Sequence, residues 1–162
     1  MTSIDPAVSV VVPVRNEAGN IAPLVTEIAK ALNGKWPFEV VYVDDGSSDA
    51  TEVELQQLIT QHAWLRRVRH KQSCGQSAAV CTGVAAARAP IVVTLDGDGQ
   101  NDPAFISALI RTLEARARHV PASSLDSASV ARRVVSRSFS RASPMPCAVL
   151  SCGMERATRA AA

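Results

Sequence analysis

Three short apolar runs constrain this chain more than any other feature. Ser9–Val14 (SVVVPV), Phe38–Val43 (FEVVYV) and Ile91–Leu95 (IVVTL) are rich in β-branched residues and too short for ordinary helices. Each is the pattern of a strand buried on both faces. Between them the period changes. Ile21, Leu24, Val25, Ile28 and Leu32 recur at helical spacing ahead of Asn33-Gly34, and Leu55, Leu58 and Ile59 form a second stripe. Leu65–Arg69 is a weaker strand candidate, and Gly75–Ala87 is a helix small enough in side chain to lie close on a sheet. Asp102-Pro103 offers a cap and a first-turn proline for a last helix, with Phe105, Ile106, Leu109, Ile110 and Leu113 on its apolar face. Strands alternating with helices predict an α/β fold with a mostly parallel sheet covered on both sides. At 162 residues there is room for one such domain.

In sheets of this kind ligands bind outside the carboxyl ends of the strands. Three polar clusters fall at those ends: Arg15-Asn16-Glu17, Asp44-Asp45 and Asp96-Gly97-Asp98. Two carboxylates one residue apart can face a single hard cation, and Mg2+ takes one or two carboxylates together with substrate phosphates. Gly97 and Gly99 allow close backbone approach to a diphosphate, and Gln100 adds a carbonyl oxygen. The plainer alternative is a solvated loop whose acids cap the next helix. Mutual repulsion of acids at a ligand-binding edge argues against that unless a cation offsets it. A calcium loop starting at Asp96 fails, because its sixth and twelfth positions hold Asn101 and Ser107. An aspartyl-nucleophile phosphatase lacks its further acid and lysine motifs, and neither a Gly-x-Gly-x-x-Gly nor a Gly-Lys-Ser/Thr loop is present.

Asp44-Asp45 suits another task, since a carboxylate there can accept from a nucleobase N–H or a ribose hydroxyl. The alternative is a capping cluster, for which Ser47 and Asp49 are the better placed. Arg15 and Glu17 lie within reach of the same nucleotide, or form an exposed loop pair. His62, His70 and His119 stand isolated in sequence and are expected in ordinary surface or core roles. Cys74, Cys81, Cys147 and Cys152 match no zinc spacing and are expected as free thiols in a reducing cytoplasm. The net charge of +2 is too small to argue for nucleic acid. No signal sequence and no apolar run near the ~20 residues of a membrane span is found.

Taken together, VSVVVPVRNEAGNI, FEVVYVDDGSSDAT and GQSAAVCTGVAAARAPIVVTLDGDGQNDP resemble glycosyltransferase family 2, the inverting GT-A enzymes, over residues 8–114. Gly75–Ala79 and the DGDGQ form look most like its polyprenyl-phosphate branch, which includes dolichol-phosphate mannosyltransferases and undecaprenyl-phosphate sugar transferases. The resemblance implies the N-terminal half of a GT-A (Rossmann-like) nucleotide-sugar-binding sandwich. It assigns Pro13, Arg15, Glu17, Val43, Asp45 and Gly97 to a GDP- or UDP-sugar. Asp96, Asp98 and Gln100 would hold Mg2+ or Mn2+, the first two acting in catalysis through the metal. The family often has an aromatic residue where Arg15 stands. The implied acceptor is a polyprenyl or dolichyl phosphate, met at the cytoplasmic face of a membrane.

The resemblance covers a region set at residues 7–115, and residues 116–162 depart from it. Residues 1–117 hold 13 acids and 10 Lys or Arg, whereas residues 118–162 hold two acids, seven Arg and no Lys. This Arg/Ser/Ala-rich stretch has no sustained periodicity. It is expected to be a disordered tail or, on permissible GC-rich codons read from the third base, a segment translated out of frame. Two readings of the chain follow: a truncated glycosyltransferase, or a non-catalytic nucleotide-binding fragment.

Overall fold

The computed structural model describes residues 5–117, 133–136 and 154–156. Strands β1 (Val8–Val14), β2 (Phe38–Asp44), β3 (Leu65–His70) and β4 (Ile91–Thr94) alternate with helices α1 (Ile21–Leu32), α2 (Thr51–Gln61), α3 (Gln76–Ala86) and α4 (Phe105–Ala117). Two short strands, β5 (Arg133–Ser136) and β6 (Met154–Arg156), lie within the stretch expected to be a tail; its other residues beyond 117 fall outside those described. The sheet order is β5-β4-β1-β2-β3-β6, parallel throughout except for β6, which runs antiparallel to β3.

Every residue of β1 is buried, as a strand covered on both faces requires. Alternation along it divides the core. Val8, Val10, Val12 and Val14 join Val40, Tyr42 and Val93 beneath α1, α2 and α4, where Ile21, Leu24, Ile28, Leu55, Ile106 and Ile110 pack. Val11, Val41, Val43, Val68 and Val92 face Ala79 of α3 and Ala87 just past its end. This helix lies close because of Gly83: a Cβ there would stand 2.3 Å from Val11 Cγ1 and 3.0 Å from Val43 Cγ2. Phe105 departs from its expected place on the apolar face of α4 and is 44 % exposed. The helix begins at Phe105 rather than Pro103, after a turn in which Asp102 Oδ1 accepts from Ala104 N at 2.8 Å.

At the edge where strands begin, buried Glu39 is satisfied by Ser9 Oγ (2.6 Å), Arg88 N (2.6 Å) and Arg66 Nη1 (2.7 Å). A buried carboxylate with this many partners reads as structural clamping. The opposite edge differs. The chain runs from β1 through β2 to β3 in one direction, then returns through α3 to β4 on the other side of β1. The order therefore reverses between β1 and β4, and open α/β sheets bind ligands at such a reversal.

Candidate functional site

The three polar clusters meet at this carboxyl edge. After β1 the chain turns at Asn16, whose φ of 56° is the left-handed conformation that asparagine tolerates better than most residues. Loop residues 16–22 are then stitched to the segment after β2. Asn16 N donates to Ser47 Oγ (3.0 Å), Glu17 N to Thr51 Oγ1 (3.0 Å) and Ala18 N to Asp49 Oδ2 (3.2 Å). Asn16 Oδ1 accepts in return from Ser48 N at 2.9 Å. Glu54 of α2 takes Gly19 N (2.7 Å) and Ala22 N (3.0 Å), capping α1 from a neighbouring helix. Asp49 Oδ1 also accepts from Thr51 N (3.0 Å), so this acid caps α2 while holding the β1 loop. Arg15 remains exposed, and Glu17 Oε2 accepts from Asn20 Nδ2 at 2.8 Å.

Asp44 and Asp45, adjacent in sequence, have separate tasks. Asp44 is buried; its Oδ1 accepts from Ser47 N (2.8 Å), and its Oδ2 lies 3.5 Å from Arg69 Nε. Asp45 is the hub of a knot. Its Oδ1 receives Cys74 N (2.8 Å) and faces His70 Nδ1 (2.7 Å), while its Oδ2 receives Ser73 Oγ (2.7 Å) and Gly75 N (2.9 Å). An ionised carboxylate has about four lone-pair sites, and this one uses all of them on the protein. Burial pushes the carboxyl up, but the bonds from Cys74 N, His70, Ser73 and Gly75 N outweigh it and bring the value down to about 2.

His70 does not stand alone, as sequence spacing suggested. It is 1 % exposed, and its Nε2 lies 2.9 Å from Thr82 Oγ1 on α3. Because a carboxylate only accepts, Nδ1 carries a proton, and in the neutral ring Thr82 donates to Nε2. Among the described residues, Asp45, His70 and Cys74 are the group whose candidate metal-ligating atoms lie within 4.8 Å of one another. Cys74 and Cys81 are both disulfide-bonded, which corrects the expectation of free thiols and removes the Cys74 sulfur as a thiolate ligand. Gly46 lets this knot close: at φ 70°, its absent Cβ would stand 2.8 Å from Ser73 N.

The Asp96-Gly97-Asp98 loop follows β4 directly. Gly97 is buried against the end of β1, where a Cβ would stand 2.4 Å from Val14 Cγ1 and 3.0 Å from Pro13 O. Its lack of a side chain is thus used on the protein's own backbone. Gly99 has open space around it and a φ of 75°. Asp98 is exposed, its Oδ1 accepting from Gln100 N at 3.0 Å. Asp96 is held from two sides, by Gln76 Nε2 on Oδ1 and Asn101 Nδ2 on Oδ2, both at 3.0 Å. Gln100 is exposed.

Pro13 and Val43 are register partners on β1 and β2, both buried, and the Val43 side chain packs beneath α3. Val43 is wholly buried and paired on both sides, with Pro13 of β1 and Val68 of β3, so it can act on a ligand only by shaping the floor beneath it. Sequence reasoning gave no individual role to Asn16, His70, Gln76 or Asn101. The first carried a signal, since Asn directly after a strand is a common left-handed turn residue.

The model of glycosyl transferase family 2 matches residues 9–143. The chain belongs to this family. The dodecaprenyl-phosphate galacturonate synthase of Rhizobium johnstonii is 39% identical over 112 residues, 67% of this chain and 32% of that protein. The dolichol-phosphate mannosyltransferase of Pyrococcus furiosus is 35% identical over 107 residues, 66% of this chain and 30% of its own length. The family 2 chain thus spans about a third of the length of these relatives. Among solved structures, the mannosyltransferase PcManGT from Pyrobaculum calidifontis, in complex with GDP-Man and Mn2+, superposes with a TM-score of 0.52 at 31% identity, covering 59% of this chain and 28% of that one. S. aureus TarS shares the fold, with a TM-score of 0.58 at 23% identity over 68% of this chain and 20% of its own. The architecture is that of the GT-A glycosyltransferases. No helix among the described residues is long and apolar enough to cross a membrane.

Proposed function

We propose that this chain is the donor-binding part of a family 2 glycosyltransferase that uses a GDP- or UDP-sugar and passes the sugar to a polyprenyl or dolichyl phosphate. The observation that carries the reading is the Asp96-Gly97-Asp98 loop, set at the reversal point of the sheet and seated on the end of β1. Its donor set, two carboxylates and the Gln100 carbonyl, consists of hard oxygens and fits Mg2+ or Mn2+. A cation bound there supplies charge neutralisation to the diphosphate leaving group. The similar mannosyltransferase solved in complex with GDP-Man and Mn2+ supports this choice.

The residues of the chain then divide the work. Asp96, fixed by Gln76 and Asn101, and exposed Asp98 present the oxygens. Arg15 and Glu17 lie on the nucleotide side, and buried Pro13 and Val43 form the floor beneath it. Asp45 shapes that side by holding residues 73–75, and any bond it makes to the base must share oxygens already engaged. A lipid phosphate is already an anion, so its oxygen attacks the anomeric carbon without a strong general base as the nucleoside diphosphate departs. The acceptor's lipid places the reaction at a membrane surface, which we assign to the cytoplasmic face. Residues 7–115 form the donor-binding region, to whose sheet β5 and β6 add one strand at each edge.

Calorimetric titration of GDP and UDP with and without Mn2+, followed by a transfer assay to a short polyprenyl phosphate, tests the proposal. Metal-dependent binding that Asp96→Asn abolishes, together with transfer, is the expected result. Binding without transfer favours the non-catalytic fragment, and no binding with metal present refutes both.

A further inference from the structure

We propose that Gln76 is a positioning residue that sets the Asp96 carboxylate through a strap anchored on Asp45; the inference rests on the metal-clamp reading above. Asp45 holds Ser73 Oγ, Cys74 N and Gly75 N, so the three residues before α3 are fixed by one carboxylate. Gly75, with φ 89° and ψ 159°, makes the turn into the helix, a conformation favoured only for glycine. Gln76 is the first residue of α3, and its Nε2 donates to Asp96 Oδ1 at 3.0 Å. Strand β1 lies between β2 and β4, so the strap links a carboxylate after β2 to one after β4 across the end of the central strand.

Asn101 donates to the other oxygen of Asp96 at 3.0 Å. One amide on each oxygen fixes the carboxylate plane. Outer hydrogen-bond partners of metal ligands act in this way, and their loss costs about 10- to 100-fold in metal affinity where such ligands have been tested. Gln76 was legible in the sequence only as part of the Gly75–Ala79 stretch; its task depends on β4 returning beside β1.

The test is Mn2+ binding to the chain, read as loss of the free Mn2+ paramagnetic resonance signal, without nucleotide or acceptor. Gln76→Met keeps side-chain length and helix propensity but removes the donor, and Gln76→Ala removes the reach. Both are expected to weaken Mn2+ binding by about 10-fold with the urea midpoint unchanged, while exposed Ser77→Ala on the same turn binds like the parent. Parent-like or tighter affinity in Gln76→Met overturns the inference, as does a lowered urea midpoint at parent-like affinity. A parent Mn2+ signal that Asp96→Asn leaves untouched overturns the clamp itself, and the positioning role with it.

Discussion

Replacing Asp45 by asparagine tests the knot at the carboxyl edge most directly. The carboxylate accepts from Cys74 N and His70 Nδ1 on one oxygen and from Ser73 Oγ and Gly75 N on the other. An amide keeps one acceptor and converts the other position into a donor. The Ser73 hydroxyl can rotate and His70 can change tautomer, but one backbone N–H, that of Cys74 or Gly75, loses its partner in either orientation. Cys74 is half-buried and Gly75 exposed, so what is lost is a hydrogen bond to a charged group, about 1.5–3 kcal/mol. A second route gives a similar size: lowering the carboxyl from 3.8 to about 2 corresponds to about 2 kcal/mol of preference for the charged form. A depressed value means that this stabilisation is complete above the unfolded value and is lost as pH falls through about 2. Urea denaturation of parent and Asp45→Asn at pH 7 should therefore differ by about 2 kcal/mol. The gap should narrow as pH falls from about 4 toward 2, with faster amide exchange at Cys74 or Gly75 in the variant. Equal stability at pH 7, or a gap that persists undiminished at the acid end, would refute the assignment of Asp45 as an ionised hub.

Two further substitutions separate loop geometry from charge. Gly97→Ala places a Cβ 2.4 Å from Val14 Cγ1, so the loop must shift from β1; overpacking of this kind costs about 1–3 kcal/mol. Its Mn2+ binding should fall although both aspartates remain, and calorimetry reads both effects. Glu54→Ala removes the acceptor for Gly19 N and Ala22 N and should cost about 1 kcal/mol, the size of a lost helix cap. Faster exchange at those two amides, with α2 unaffected, is the accompanying sign.

The parallel sheet was legible because strands buried on both faces cannot alternate, and SVVVPV, FEVVYV and IVVTL leave few other folds open. The Asp96-Gly97-Asp98 loop was legible for the same reason, since the end of a strand can be read directly from where its apolar run stops. Asp45 was harder. Sequence placed it at the right edge and suggested a ligand for it, whereas its four protein partners come from residues 70–75, 25 to 30 positions away. His70 was given no individual role because its partners, Asp45 and Thr82, lie 25 and 12 residues distant and share no periodic pattern with it. The helical periodicity of residues 105–113 overstated the buried face, because Phe105 begins the helix beside an exposed turn.

Local pattern thus determined the elements of this chain, their order and the edge at which its acids gather, because burial periodicity and turn chemistry act over a few residues. The tertiary structure decided what each acid does. Whether a carboxylate is spent on the protein, as Asp45 is, or presented outward, as Asp98 is, depends on which backbone N–H groups the return of α3 brings against it. Hydrogen bonds formed across 20 or more residues follow the topology of the sheet, and no spacing within the sequence encodes them.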